Sequence, residues 1–217
     1  MDDSVTPHVD PHETGAQPGM THTAATIAER AAELFAAKGF SATSIREITE
    51  AVGVTKPTLY YHFGSKDGLV RHIHDSVNLF FEDTIQSASD GNLPLQETLP
   101  KLVTTFFEFA DTHPATVRLM LRLQHLPPEE SRIADLEAAQ VRKLESVIQL
   151  LQRAVDAGEL ARHPNESLAL ALLGSLSTHI NHRLRQPAEV RMPAADAAKE
   201  MVDLFFQGAL RHPQGTS

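Results

Sequence analysis

The sequence predicts an all-α protein of about nine helices, and three observations predict it. Beyond residue 20, apolar residues recur at three- and four-residue spacing, and no stretch alternates as a half-buried strand would. Glycines close the periodic stretches at Gly39, Gly53, Gly91 and Gly158, while Pro57, Pro114 and Pro193 open others. Ser44, Thr55 and Asn165 stand where an N-terminal cap is needed.

Taken in order, residues 1–20 form an acidic tail that mixes Pro7, Pro11 and Pro18 with Gly15 and Gly19, lacks periodicity and is expected to be disordered. The first helix runs from about Thr23 to Lys38 and buries Ile27, Ala31, Leu34 and Phe35; Phe40, after Gly39, folds back onto Phe35. Ser44 and Glu47 make a capping box for a second helix, which buries Ile45, Ile48 and Val52 before the chain reverses at Gly53. Thr55 caps a third helix, Pro57 is tolerated in its first turn, and Leu59 and Phe63 form its buried side. A long fourth helix, about Lys66 to Ala88, carries Leu69, Ile73, Val77 and Phe80-Phe81.

The fifth helix, Leu95 to about Thr112, presents Leu99, Leu102, Val103, Phe106, Phe107 and Phe109, with a kink expected at Pro100. Pro114 opens a sixth that ends near Gln124, and Pro127-Pro128 forces a break. The seventh, about Glu129 to Ala157, carries Ile133, Leu136, Val141, Leu144, Ile148, Leu151 and Val155. Asn165 caps an eighth that reaches about Arg185, and Pro193 starts a ninth that ends near Arg211.

The third helix leaves Lys56, Thr58, Tyr60, Tyr61 and His62 on its non-apolar faces: a cation, a hydroxyl, two phenols and an imidazole. Helix-turn-helix proteins place the N-terminal residues of such a helix against base edges in the major groove. At these residues a resemblance becomes explicit. The run from Ile27 to Leu69 resembles the DNA-binding domain of the TetR family of bacterial repressors. The similarity is carried by Ile27, Ala31, Leu34-Phe35, Gly39-Phe40, Thr43-Ser44-Ile45-Arg46-Glu47-Ile48, Gly53-Val54, Leu59-Tyr60-Tyr61-His62-Phe63 and Lys66-Asp67-Gly68-Leu69.

The resemblance implies a helix-turn-helix DNA-binding domain at residues 21–66 and a ligand-binding and dimerisation domain at residues 67–217. It implies three partners: double-stranded operator DNA, a small-molecule effector and a second copy of the chain. On the motif, Lys56, Thr58 and Tyr61 are expected at base edges, with Arg46 on the preceding helix. Ser44, Thr55, Tyr60, His62 and Lys66 are expected at phosphates, and Pro57 sits among them in the first turn.

Residues 168–180 are apolar or small nearly all round, as in a helix covered on several faces, and Gly174 suggests close backbone approach. With the last helix they predict an isologous four-helix dimer interface through Leu172, Gly174, Leu176, Met201, Leu204 and Phe205. An effector pocket is expected among Phe106, Phe109 and Met120, with Arg122, His125 and His179 as polar anchors, so the effector should be mainly apolar.

His179 and His182 share a helix face, but neither Cys nor a well-spaced carboxylate joins them, and no metal or other cofactor is expected. Phosphate loop, nucleophile elbow and HExxH box are all missing, which argues against an enzyme. With no cysteine, no signal stretch and no membrane-length apolar run, a soluble cytoplasmic setting is expected. The formal net charge is −9, yet residues 21–75 sum to zero, and Val54 to Ser65 contain Lys56 and no acid. The expected function is a ligand-responsive repressor; the alternatives are an activator of the same fold and a helical adaptor that binds protein instead of DNA.

Overall fold

The computed structural model describes residues 22–91, 93–124, 136–160 and 165–209. Its described residues form nine α-helices and one 3-10 turn: α1 (His22–Lys38), α2 (Ile45–Val52), α3 (Lys56–Phe63), α4 (Lys66–Asp90), α5 (Leu95–Thr112), α6 (Pro114–Leu123), α7 (Leu136–Asp156), α8 (Asn165–Arg185), the turn at Ala188–Val190, and α9 (Ala194–Ala209). The expected acidic tail, the Pro127-Pro128 break, the opening of the seventh helix and the final residues lie outside the described residues.

Local chemistry sets the head. Ser44 Oγ accepts from the Glu47 N–H at 3.2 Å, and the Glu47 carboxylate accepts from the Ser44 N–H at 2.8 Å, so the capping box closes. Gly53 ends α2 at φ +77°, a left-handed conformation in which a side chain is strained. Thr55 caps α3, and Ser65 Oγ accepts from the Gly68 N–H at 2.9 Å to start α4. Gly68 is fixed by contact: a Cβ there would run into the Phe63 carbonyl oxygen at the end of α3. Phe40 returns onto Phe35 with ring centroids 5.5 Å apart.

Two large cores, with a small third cluster of Ala110, Val117 and Leu184, divide the described residues. The first joins Ile27, Phe35, Ile48, Leu59, Leu69 and Ile73 of α1–α4, and it includes Leu119, Met120 and Leu123 of α6. The second is built from α5, α7, α8 and α9 with Ile85 near the end of α4. The head is therefore closed by a helix of the body, and α4 runs from one core into the other.

Two sequence expectations are corrected. Val141 is 54% exposed; the buried face of α7 runs instead through Ala139, Lys143, Val147, Leu150, Leu151 and Ala154. Leu172, Leu176 and Met201 are buried in the protomer's own core, since α8 and α9 turn those side chains toward α5 and α7. They are not surface residues that a second copy could touch. Gly174 and Leu204 are exposed and Phe205 is half-buried.

Candidate nucleic-acid interface and ligand cavity

The exposed side of the helix-turn-helix is polar and aromatic. Lys56 and Pro57 open α3 and are exposed; Tyr61 is 85% exposed and Tyr60 48%. The Tyr61 and His62 rings meet edge to face with centroids 5.1 Å apart, and His62 also lies beside Phe63. Thr58 and Thr55 share a hydroxyl–hydroxyl hydrogen bond of 2.8 Å, which holds the start of α3. An 85%-exposed tyrosine is not placed there by the core. On α2, the exposed Arg46 donates to Glu50 at 2.6 Å, a surface pair that gives way at small cost. Lys38 and then the Ser44 backbone hold the Glu47 carboxyl down to about 2, so it stays ionised while it completes the cap.

Lys66 is corrected. Its Nζ donates to the Phe40 carbonyl at 2.8 Å and the Thr43 carbonyl at 2.9 Å, and it stands 4.2 Å over the Phe40 ring. It ties α4 to the α1–α2 connection, with two of its donors spent on backbone carbonyls inside the fold.

A cavity of about 590 Å³ opens between α4, α5, α6, α7 and α8, within the range of ligand sites. Phe106, Phe109 and Met120 line it, together with Val77, Phe80, Phe81, Leu173 and Ile180. Stacked pairs make one wall: Phe80 with Phe109 at 4.3 Å and Phe81 with Phe106 at 4.8 Å. Lys143, Gln140, Gln124 and Ser177 are the polar lining residues. A larger depression of about 870 Å³ between α5 and α9 is edged by Lys101, Asp196, Lys199 and Asp203, and its charged rim suits solvent better than an apolar ligand.

The expected polar anchors do not reach the cavity. Arg122 is exposed and not among the lining residues, because α6 buries Met120 and Leu123 and turns Arg122 outward. His179 Nδ1 lies 2.8 Å from the Ser175 carbonyl, a contact within α8, and it too stays outside the lining. His125 lies outside the described residues. His182 Nε2 contacts the Gln186 side chain at 3.1 Å. The cation that does line the cavity is Lys143, which the sequence reading passed over. Its signal was a cation flanked at i−4 and i+4 by the apolar Ala139 and Val147.

The described residues thus combine a helix-turn-helix, whose short capped α3 exposes polar and aromatic side chains, with a helical body that holds a mainly apolar cavity. Residues 27–73 match the family model described as "Bacterial regulatory proteins, tetR family". The match covers the helix-turn-helix head and the start of α4, and over those residues the chain is similar to that family.

It is 35% identical over 104 residues to the HTH-type transcriptional repressor KstR2 of Rhodococcus jostii, covering 46% of this chain and 50% of that protein. It is 26% identical over 187 residues to the HTH-type transcriptional activator FasR of Mycolicibacterium smegmatis, covering 84% and 80%. The crystal structure of the TetR family regulator PfmR from Thermus thermophilus superposes with a TM-score of 0.69 at 27% identity, over 85% of this chain and 99% of that one. The chain spans less than two thirds of the length of the first curated relatives it matches, 50%, 64% and 46% of three of them. Among the described residues, no helix is long and apolar enough to cross a membrane.

Proposed function

We propose that the chain is a dimeric, cytoplasmic transcriptional regulator, not an enzyme, that binds operator DNA and is released by a small, mainly apolar effector. One observation carries the reading: an exposed recognition face and a ligand-sized apolar cavity are joined through shared parts. Met120 belongs to the head core and also lines the cavity, and α4 packs Leu69 and Ile73 into the head while its Val77, Phe80 and Phe81 line the cavity wall. A ligand that repositions α4 or α6 therefore acts on the seat of α3. Binding at the two sites must then be reciprocally coupled.

DNA contact is assigned to Lys56, Thr58 and Tyr61 at base edges, with Arg46 beside them, and to Ser44, Thr55, Tyr60 and His62 at phosphates. The test is titration of the DNA upstream of the chain's own coding region at several salt concentrations. Affinity should fall linearly with salt on logarithmic axes. Lys56→Ala should weaken binding and relax the sequence preference, whereas Lys66→Ala should leave the salt slope unchanged. Absence of any salt-dependent binding would leave the adaptor reading in possession. The similarity to an activator over most of the chain favours a second reading, in which the same binding activates; the sign of a reporter's response to deletion separates the two.

A further inference from the structure

Lys143 occupies a position that α7 otherwise gives to the core. Ala139 and Val147, one turn before and after, are 0% and 3% exposed, and Lys143 itself is 9% exposed. Its Nζ lies 5.5 Å from the Phe81 ring centroid and borders the cavity. Among the described residues it makes neither an ion pair nor a hydrogen bond. Glu82, whose charge it feels, is bridged to Arg142 at 3.1 Å. Burial pushes the ammonium down to about 8, so at neutral pH it is still mostly charged.

A buried cation without a counter-ion is costly, and a ligand that brings the missing charge removes the penalty. Gln140, three residues earlier on the same face of α7, lines the cavity too and offers an amide donor for a second oxygen. Beyond these two groups, the only other polar lining residues among the described ones are Gln124 and Ser177; the rest, including the Phe80, Phe81, Phe106 and Phe109 wall, is apolar. A single cation beside one amide balances a singly charged carboxylate better than a dianionic phosphate.

We propose that Lys143 anchors the anionic head group of the effector, and that the effector is an amphiphilic carboxylate with an apolar body. The proposal rests on reading the cavity as the effector site.

The test compares dodecanoate, dodecanol and dodecylamine below their micellar concentrations, by calorimetry on the full chain and on its Lys143→Met and Lys143→Arg variants. Wild type should bind dodecanoate, bind the alcohol more weakly, and reject the amine. Lys143→Met should lose at least about 30-fold in dodecanoate affinity, the scale for removing one partner of a buried charge pair, and keep its affinity for the alcohol. Lys143→Arg should retain the preference for the acid. Equal binding of acid and alcohol by wild type, or a preference that survives in Lys143→Met, overturns the anchor and leaves the cavity reading intact. Failure of all three probes to bind wild type overturns the cavity reading as well, while the operator titration still judges DNA binding by itself.

Discussion

Lys66 and Lys143 both stand over phenylalanine rings, and their partners separate them. Lys66 spends two donors on the carbonyls of Phe40 and Thr43, so its charge is used inside the fold. Lys143 finds no such acceptor among the described residues, and its burial has a consequence for stability. Its proton affinity is lowered from the ordinary 10.5 to about 8, so between those pH values the unfolded chain binds more protons than the folded one. The penalty is fully present below pH 8 and disappears as pH rises toward 10.5. Lys143→Met should therefore be more stable than wild type at pH 7, by up to about 3 kcal/mol at roughly 1.4 kcal/mol per unit of pKa. The gap should close by pH 10.5. The neighbouring charges of Glu82, Arg142, His74 and Asp75 are present in both proteins, so their titration largely cancels in the comparison. Urea unfolding of the two proteins from about neutral pH up to 10.5 measures the gap, and a constant gap would mean that Lys143 is not desolvated. Spacing put Lys66 at a phosphate and gave Lys143 no role. The acceptors of Lys66 lie 26 and 23 residues away, beyond any local pattern. Lys143 was in view between Ala139 and Val147, but Val141 and Leu144 suggested an apolar stripe rotated away from it.

At the level of elements, the body is pinned where α5, α8 and the connection before α9 meet. Asp111 on α5 receives Arg183 Nε at 2.9 Å and Nη2 at 2.6 Å, and Arg191 Nη1 at 3.1 Å. Arg183 is 7% exposed, also donates to the Met192 carbonyl at 2.6 Å, and stacks its guanidinium 5.7 Å from the Phe107 ring centroid. Removing the acid would strand a buried guanidinium, and breaking such a pair typically costs about 3–5 kcal/mol. Asp111→Ala should lose stability on that scale in denaturant unfolding. Ser44→Ala, which removes only an exposed cap, should lose about 1 kcal/mol. If Asp111→Ala were no worse than Ser44→Ala, the triad would not be holding these elements. The contrast follows what was legible. The capping box, the turn at Gly53 and the Phe35–Phe40 return use partners close together in the chain, and the sequence spacing predicted each. The Asp111 triad joins residues 72 and 80 apart, and the packing of α6 on α1 closes the head with a helix from beyond residue 113. Periodicity finds helices and their buried sides; it does not say which helix covers which. Residues 168–180 show the limit, since a helix that is apolar nearly all round does not declare which side meets its own core. Leu172 and Leu176 took that side, and Leu170, Ala171, Gly174 and Thr178 were left at the surface.

For the molecule as a whole, the surface of α8 and α9 decides whether the proposed regulator can work. Ala171, Gly174 and Thr178 lie exposed along one side of α8, and a Cβ on Gly174 would meet nothing within 4 Å in its own protomer. Leu204 on α9 is 59% exposed, so α9 presents an apolar side chain at the surface as well. Gly174 and Leu170 also line the cavity, which brings the proposed dimer surface to the edge of the effector site. A substitution at Gly174 would therefore disturb both, whereas Leu204 lies outside the cavity lining and outside the buried core. Leu204→Glu should thus separate assembly from folding. An isologous contact places the new charge twice across the two-fold axis, against its own counterpart or another desolvated patch. The variant should sediment as a monomer while its protomer keeps its helical content. Operator affinity should drop by about 100-fold or more, because the second head no longer binds from a tethered position. If Leu204→Glu remains dimeric and binds operator as wild type does, α9 is not part of the interface. If it becomes monomeric yet keeps full operator affinity, one head suffices. Regulation would then run through the contacts of α4 and Met120 within a single chain, with no change in the spacing of two heads.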